Sequence, residues 1–273
     1  MINLSDHKIS ISNIAWPHDC DDEALLVAKS AGFSGIELAP AKVLGHWESI
    51  TEGKAKKYKD KLNKLGLSIP AFQGILFGKQ ECELFVSNIT RRNLSHHLIF
   101  LAKLANVMGA KALVFGAPTL RDPGELTDND AQNIAIDFFR NVGEKIKDYD
   151  VKICFEANPS VYNCKFITHT EQAISLIKRI NHPNIRLQID LGTIFQNNED
   201  PIILTEAANY AAHFHISEPS LLPIGNSGCP HLSTGNYSRN SSYKYWKSIE
   251  MKTDENWKSN ITKSAEIVSS FYL

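Results

Sequence analysis

The chain has 273 residues, 43% of them hydrophobic and 22% charged, with a formal net charge of −1. Those values suit a well-packed protein of about the size of one (β/α)8 barrel and exclude a largely disordered chain. There is no basic excess of the kind a nucleic-acid binder carries, and no apolar run approaches the roughly 18 residues that a membrane span needs, so neither partner is expected.

Short β-prone runs alternate with longer amphipathic stretches. The pattern predicts strands at residues 8–16, 35–39, 68–76, 112–116, 152–157, 186–191, 213–217 and 247–251. Helices are expected over 21–31, 52–65, 91–108, 129–147, 170–179, 201–211 and 255–271. In the longest, Leu94, His97, Leu98, Leu101, Leu104, Ala105 and Met108 share one face. The stretch 218–242, rich in Gly, Ser, Pro and Asn, reads as irregular. Eight strand–helix units imply parallel strands joined by crossovers, and eight of them close a barrel more naturally than they make an open sheet. The expected fold is α/β, a single (β/α)8 TIM barrel over residues 1–273. The segment after the first strand, Trp16-Pro17-His18-Asp19-Cys20, carries no Gly-rich dinucleotide loop. The five cysteines are scattered and form no CxxC pair, which speaks against a disulfide framework or a structural zinc ribbon. With no secretory leader in view, the protein is expected in the cytoplasm.

A parallel barrel buries both faces of every strand, so a charged group inside one is costly unless paired or bound to metal. The last four strands are each interrupted near their C-terminal ends: by Glu156, Asp190, His215 and Glu250. That is the face on which barrel enzymes build their sites. Side chains alternate along a strand, so Cys154, Gln188, His213 and Ser248 should share the inward rows with those four. Three carboxylates and one imidazole make a mixed oxygen–nitrogen set, suited to one divalent ion such as Mn²⁺, Mg²⁺, Co²⁺ or Zn²⁺.

The four groups are separated by 34, 25 and 35 residues. Together with the motifs Gly32-Phe33-Ser34-Gly35-Ile36-Glu37-Leu38, Phe155-Glu156-Ala157-Asn158-Pro159 and Trp246-Lys247-Ser248-Ile249-Glu250-Met251, this spacing resembles the xylose isomerase-like barrels. The likeness is greatest to the sugar phosphate isomerase/epimerase group that includes the ketose 3-epimerases. It runs along the whole chain. It implies a metal held by Glu156, Asp190, His215 and Glu250, which chelates a substrate carbonyl and hydroxyl and favours an enediolate. Glu156 and Glu250 would then serve as catalytic base and acid on opposite faces of the substrate. Where ketose 3-epimerases have Glu, His and Arg around the substrate, this chain has Tyr162, Thr193 and Leu221. The resemblance therefore carries the metal ligands further than the substrate contacts.

Four more residues are candidate substrate contacts. Relatives have a Glu at the end of the second strand, which points to Glu37; a structural salt bridge is the alternative. Gln73 could meet a sugar hydroxyl or satisfy the barrel backbone. Trp16, with Phe115, could wall the pocket or simply pack the core. Relatives also suggest His231, in the loop after the seventh strand, against a solvated loop residue. Arg121 could meet an anion after the fourth strand or stand in solvent, and His213 is expected as a hydrogen-bonded core histidine.

The expected activity is metal-dependent isomerisation or epimerisation of a small sugar, sugar phosphate or related polyol-ketone. The alternatives are a dehydratase or lyase on the same scaffold, an endonuclease IV-like phosphodiesterase, and a non-catalytic sugar-binding protein. The partner is a small carbohydrate, and the protein could pair as a homodimer.

Overall fold

In a computed structural model, which describes residues 4–273, eight apolar segments form parallel strands. They are β1 (Ile9–Ser12), β2 (Gly35–Glu37), β3 (Ala71–Phe72), β4 (Ala112–Phe115), β5 (Lys152–Glu156), β6 (Ile185–Asp190), β7 (Ala211–Ser217) and β8 (Lys247–Glu250). Their hydrogen-bonded order is β2-β1-β8-β7-β6-β5-β4-β3. The two ends of that order meet through parallel bridges between Gly35 and Ser68 and between Leu38 and Phe72. The backbone bonds from Ile36 to Ser68 and from Gln73 to Leu38, each 2.8 Å, complete the join. The result is a (β/α)8 barrel with helices between its strands.

The helices are α1 (Asp21–Ser30), α2 (Pro40–Leu44), α3 (Glu52–Lys64), α4 (Asn88–Met108), α5 (Asp128–Lys145), α6 (Thr170–Ile180), α7 (Leu191–Gln196), α8 (Ile203–Tyr210), α9 (His231–Asn240) and α10 (Trp257–Phe271). The expected apolar face of α4 is buried throughout. Ser87 and Thr90 cap its start reciprocally, and Gly109, at φ 90°, ends it in the left-handed region that glycine adopts without strain.

Two strands are much shorter than their apolar runs. The first gives way to a 3-10 turn over Asn13–Ala15, where Ser12 Oγ accepts the Ile14 N–H. The third is flanked by Pro70, which has no N–H to give the ladder, and by Gly74, whose φ of 59° turns the chain away. The stretch expected to be irregular contains α9. Its sequence, HLSTGNYSRN, lacks a strong apolar period. α9 is held by tertiary contact instead: a Cβ at Gly235 would lie 2.0 Å from the Phe271 carbonyl oxygen, so only glycine lets α9 approach α10 this closely.

Inside the barrel, Ala71, Ala112, Cys154 and Ala212 form a small buried cluster. This places Cys154 on the inward row with Glu156. Burial pushes the Cys154 thiol up to about 12, so it stays protonated and behaves as a small apolar group. All five cysteines are free. Among the described residues no helix is long and apolar enough to cross a membrane.

Candidate metal centre

β5, β6, β7 and β8 deliver Glu156, Asp190, His215 and Glu250 to one end of the barrel. His215 is completely buried. Its Nδ1 lies 3.6 Å from Glu156 Oε1 and 3.1 Å from Glu250 Oε2, yet makes no aligned hydrogen bond to either. Ligating atoms of Glu156, Asp190 and His215 all lie within 4.8 Å of one another. A buried imidazole nitrogen without a hydrogen-bond partner, facing carboxylates, is what a cation-binding site presents.

The electrostatics of the donor set agree. Burial raises the Asp190 carboxyl above its ordinary range, and the charge of Glu156 raises it further; His215, Ser217 and Thr193 only partly offset this. Burial opposes a charge on His215, but Glu250 and Glu37 outweigh it and hold the imidazole well above its usual range. Both directions describe a crowd of carboxylates short of positive charge, a shortage that a divalent ion relieves. The residues present therefore fit one such ion.

Three of the four candidate ligands are held by neighbouring side chains. Glu37, fully buried at the end of β2, accepts on Oε1 from His215 Nε2 at 3.1 Å and from His213 Nε2 at 2.9 Å. Donation from Nε2 fixes the ring so that Nδ1 faces the carboxylates, where its lone pair would serve a bound ion once the Nδ1 proton has left. Glu37, His213 and His215 themselves form a second close trio, and these hydrogen bonds already join its ligating atoms. Asp190 caps α7: its Oδ2 accepts from the Thr193 N–H at 2.8 Å, and the Thr193 hydroxyl stands 2.8 Å away. Its Oδ1 accepts from Ser217 Oγ. Asn158 Nδ2 donates to Glu156 Oε2 at 2.8 Å.

Arg121 supports that last contact. It is completely buried, donating to the Glu156 carbonyl at 2.7 Å and to Asn158 Oδ1 at 2.8 Å, with its guanidinium 4.8 Å from the Phe155 ring centre. It neither faces solvent nor meets an anion; it fixes the end of β5. Asn158, Ser217 and the structural part played by Arg121 escape sequence reasoning, because nothing in the local pattern marks a loop Arg as buried. Asn158, two residues past Glu156, carried the clearest available signal.

A cleft of about 490 Å³ opens above the ligands, with Glu156, Glu250, Gln73 and Gly116 in its lining. Gln73 is buried and donates to Ser12 Oγ at 2.6 Å. The other expected substrate contacts lie elsewhere. Glu37 sits beneath the histidines. Trp16 is fully buried with its indole N–H on Asp21 at 3.2 Å, and borders a second, larger cavity. His231 is buried with both nitrogens engaged, Nδ1 with the Tyr272 hydroxyl at 2.7 Å and Nε2 with Glu218 Oε1 at 3.0 Å. Neither Glu37 nor His231 lines the cleft; each is spoken for by other side chains. Phe115 packs edge-on against Phe139 in the core.

The model of one protein family, the xylose isomerase-like TIM barrels, matches residues 25–270. The chain belongs to that family. No curated protein sequence matches the chain. Among solved structures, a D-psicose 3-epimerase from Clostridium cellulolyticum H10, crystallised with D-tagatose, superposes with a TM-score of 0.82. It is 14% identical, over 97% of this chain and 99% of the other. A D-psicose 3-epimerase crystallised in the presence of D-fructose gives 0.80 at 13% identity, over 97% and 99%. An AP endonuclease, family 2, from Brucella melitensis gives 0.76 at 16% identity, over 95% and 99%. At these identities the likeness is one of fold.

In this xylose isomerase-like barrel, Thr193, Tyr162 and Leu221 take part in hydrogen bonds that hold the rim. Thr193 fixes Asp190. The Tyr162 hydroxyl accepts the Ser220 N–H at 2.7 Å, tying the loop after β5 to the loop after β7. The Leu221 carbonyl accepts from Lys252 at 2.8 Å, tying that loop to the one after β8.

Gly116 offers a test of this packing. A Cβ there would stand 2.6 Å from Glu156 Oε2, at a backbone conformation that alanine tolerates. Gly116→Ala is expected to fold but to displace Glu156. Misplacement of this kind costs up to about a hundredfold in rate, and metal titration should show weakened binding. Wild-type metal affinity in the alanine variant would show that Glu156 has room to move without consequence.

Proposed function

We propose that the protein is a metal-dependent isomerase or epimerase acting through an enediolate on a small sugar, sugar phosphate or related polyol-ketone. The observation that carries this reading is the approach of Glu156 and Glu250, from β5 and β8, to one unpartnered buried imidazole nitrogen at the foot of a cleft. The ketose 3-epimerases among the solved structures that share the fold support it.

Glu156, Asp190, His215 and Glu250 would hold one divalent ion, which when bound supplies Lewis acidity toward adjacent carbonyl and hydroxyl oxygens. The protein's own groups then move the proton. One of Glu156 and Glu250 takes it from the carbon next to the carbonyl, and the other returns a proton from the opposite side, inverting that centre. Asn158 holds the Glu156 carboxylate in place, and Glu37 holds the His215 ring. Gln73, at the cleft wall, would meet a sugar hydroxyl.

The test is to strip the protein with chelator, restore Mn²⁺, Mg²⁺, Co²⁺ or Zn²⁺ one at a time, and follow deuterium uptake from D₂O into a panel of ketoses and ketose phosphates by NMR. Uptake should vanish on stripping and return with at least one ion. The melting temperature should rise with the same ion, since a ligand that binds only the folded state stabilises it. Uptake unaffected by chelation, or a melting temperature that none of the ions changes, would sink the reading.

A further inference from the structure

The cleft above the carboxylates does not end at Gln73. Gln73, Gly74, Phe77 and Gly78 also line a second chamber of about 1190 Å³, over the C-terminal ends of β1, β2 and β3. The two spaces share that wall and differ in charge. The first is bordered by Glu156 and Glu250 and by no lysine or arginine. The second is bordered by Lys42 and Lys79, with Glu48 as its one acid. Lys79 is committed to Glu48 at 2.7 Å and Glu81 at 3.2 Å. Lys42 has no carboxylate partner among the described residues: its ammonium donates to the backbone carbonyls of Asn13 and Trp16, which leaves one N–H to give.

Asp21, the acid whose charge acts on Lys42, is already engaged by Trp16, Tyr58 and Lys61. Burial pushes the Lys42 ammonium down to about 8, so an anion beside it would relieve an unfavourable charge. At the junction of the chambers stands Phe77, 80% exposed. The loop bearing it is fixed by the Trp47 indole N–H, which donates to the Phe77 carbonyl at 2.8 Å. An aromatic ring left this open beside a cleft gains by covering the apolar side of a ligand.

We propose that the second chamber is the subsite for the far end of the substrate, and that this end carries an anionic group, a phosphate or a carboxylate, received by Lys42. The inference rests on the sugar chemistry proposed for the metal centre and names its substrate class: a polyol-ketone charged at the end remote from the reacting carbon.

The test uses unreactive polyols on the Mn²⁺-loaded protein, titrated by calorimetry: D-glucitol, D-glucitol 6-phosphate and D-gluconate. At least one anionic polyol should bind ten or more times tighter than D-glucitol, and the tighter of the two names the anion. Lys42→Met should bring that ratio to about one, and Lys42→Arg should keep it. Lys42→Gln, which keeps an N–H donor but no charge, should lose it as Met does. Equal binding of neutral and anionic polyols overturns the inference, and so does a preference that survives in both Lys42→Met and Lys42→Gln. Metal-dependent deuterium uptake into a neutral ketose, with no preference for an anion, would leave the epimerase reading standing and overturn this one alone.

Discussion

Glu156→Gln and Glu250→Gln are each expected to lower deuterium uptake by a factor of about 10²–10⁴, the range that a positioned acid or base contributes. The measurement uses the ketose that the wild-type protein labels fastest. Glutamine keeps the shape of each side chain, and at position 156 its carbonyl can still accept from Asn158, now 2.8 Å from Oε2. What is lost is the ability to take or hold a proton at that place. Both residues also belong to the proposed ion-binding set, so bound Mn²⁺ must be measured alongside, and rates compared at saturating metal. If either variant keeps full uptake at saturation, the assignment of two carboxylates to the two faces of the substrate is wrong.

The part of this site that sequence exposes is the part that violates the economy of a parallel strand. Glu156, Asp190, His215 and Glu250 interrupt segments buried on both faces, and such interruptions are rare without a reason. The eight strands and their order were legible from the same alternation. The supports were not. Arg121 looks like an ordinary loop residue; its burial depends on Phe155, Asn158 and Cys164, which come together only in the fold. α9 could not be read because its helix rests on tertiary packing against α10 and not on an apolar stripe. α7 and α2, six and five residues long, are too short to show a period.

His231 was legible as a chemical group but not as a partner. Its two nitrogens bind residues 13 positions before and 41 after it. Glu218, at the other end of that bond, also accepts from Gly225 and Ser227. The histidine thus pins the loop after β7 to the C-terminal end of the chain.

Glu37→Gln is the second large effect expected, and it separates orientation from contact. Glu37 touches neither the cleft nor the face of His215 that meets Glu156 and Glu250. Its Oε1 takes two imidazole N–H groups while its buried Oε2 has no partner. The carboxyl is held far below its usual range: burial pushes it up, but His215 and His213 together outweigh that. A glutamine must place its carbonyl oxygen where Oε1 stands, which strands an NH₂ in the buried position of Oε2. Leaving such a group unpaired costs about 1–3 kcal/mol, and the hydrogen bond to His215 loses its charge. Metal affinity should fall about 10–100-fold, the usual effect of removing the partner that orients a ligating histidine, while the melting temperature of the metal-free protein drops as well. Titration with Mn²⁺ followed by electron paramagnetic resonance reads the first quantity, and calorimetry of the stripped protein the second. A Glu37→Gln variant that binds Mn²⁺ as tightly as the wild type would reduce Glu37 to a packing role and leave the tautomer of His215 set by the carboxylates above it. Weakened binding would place the determinant of the site on β2, more than a hundred residues before the first of the ligands it serves.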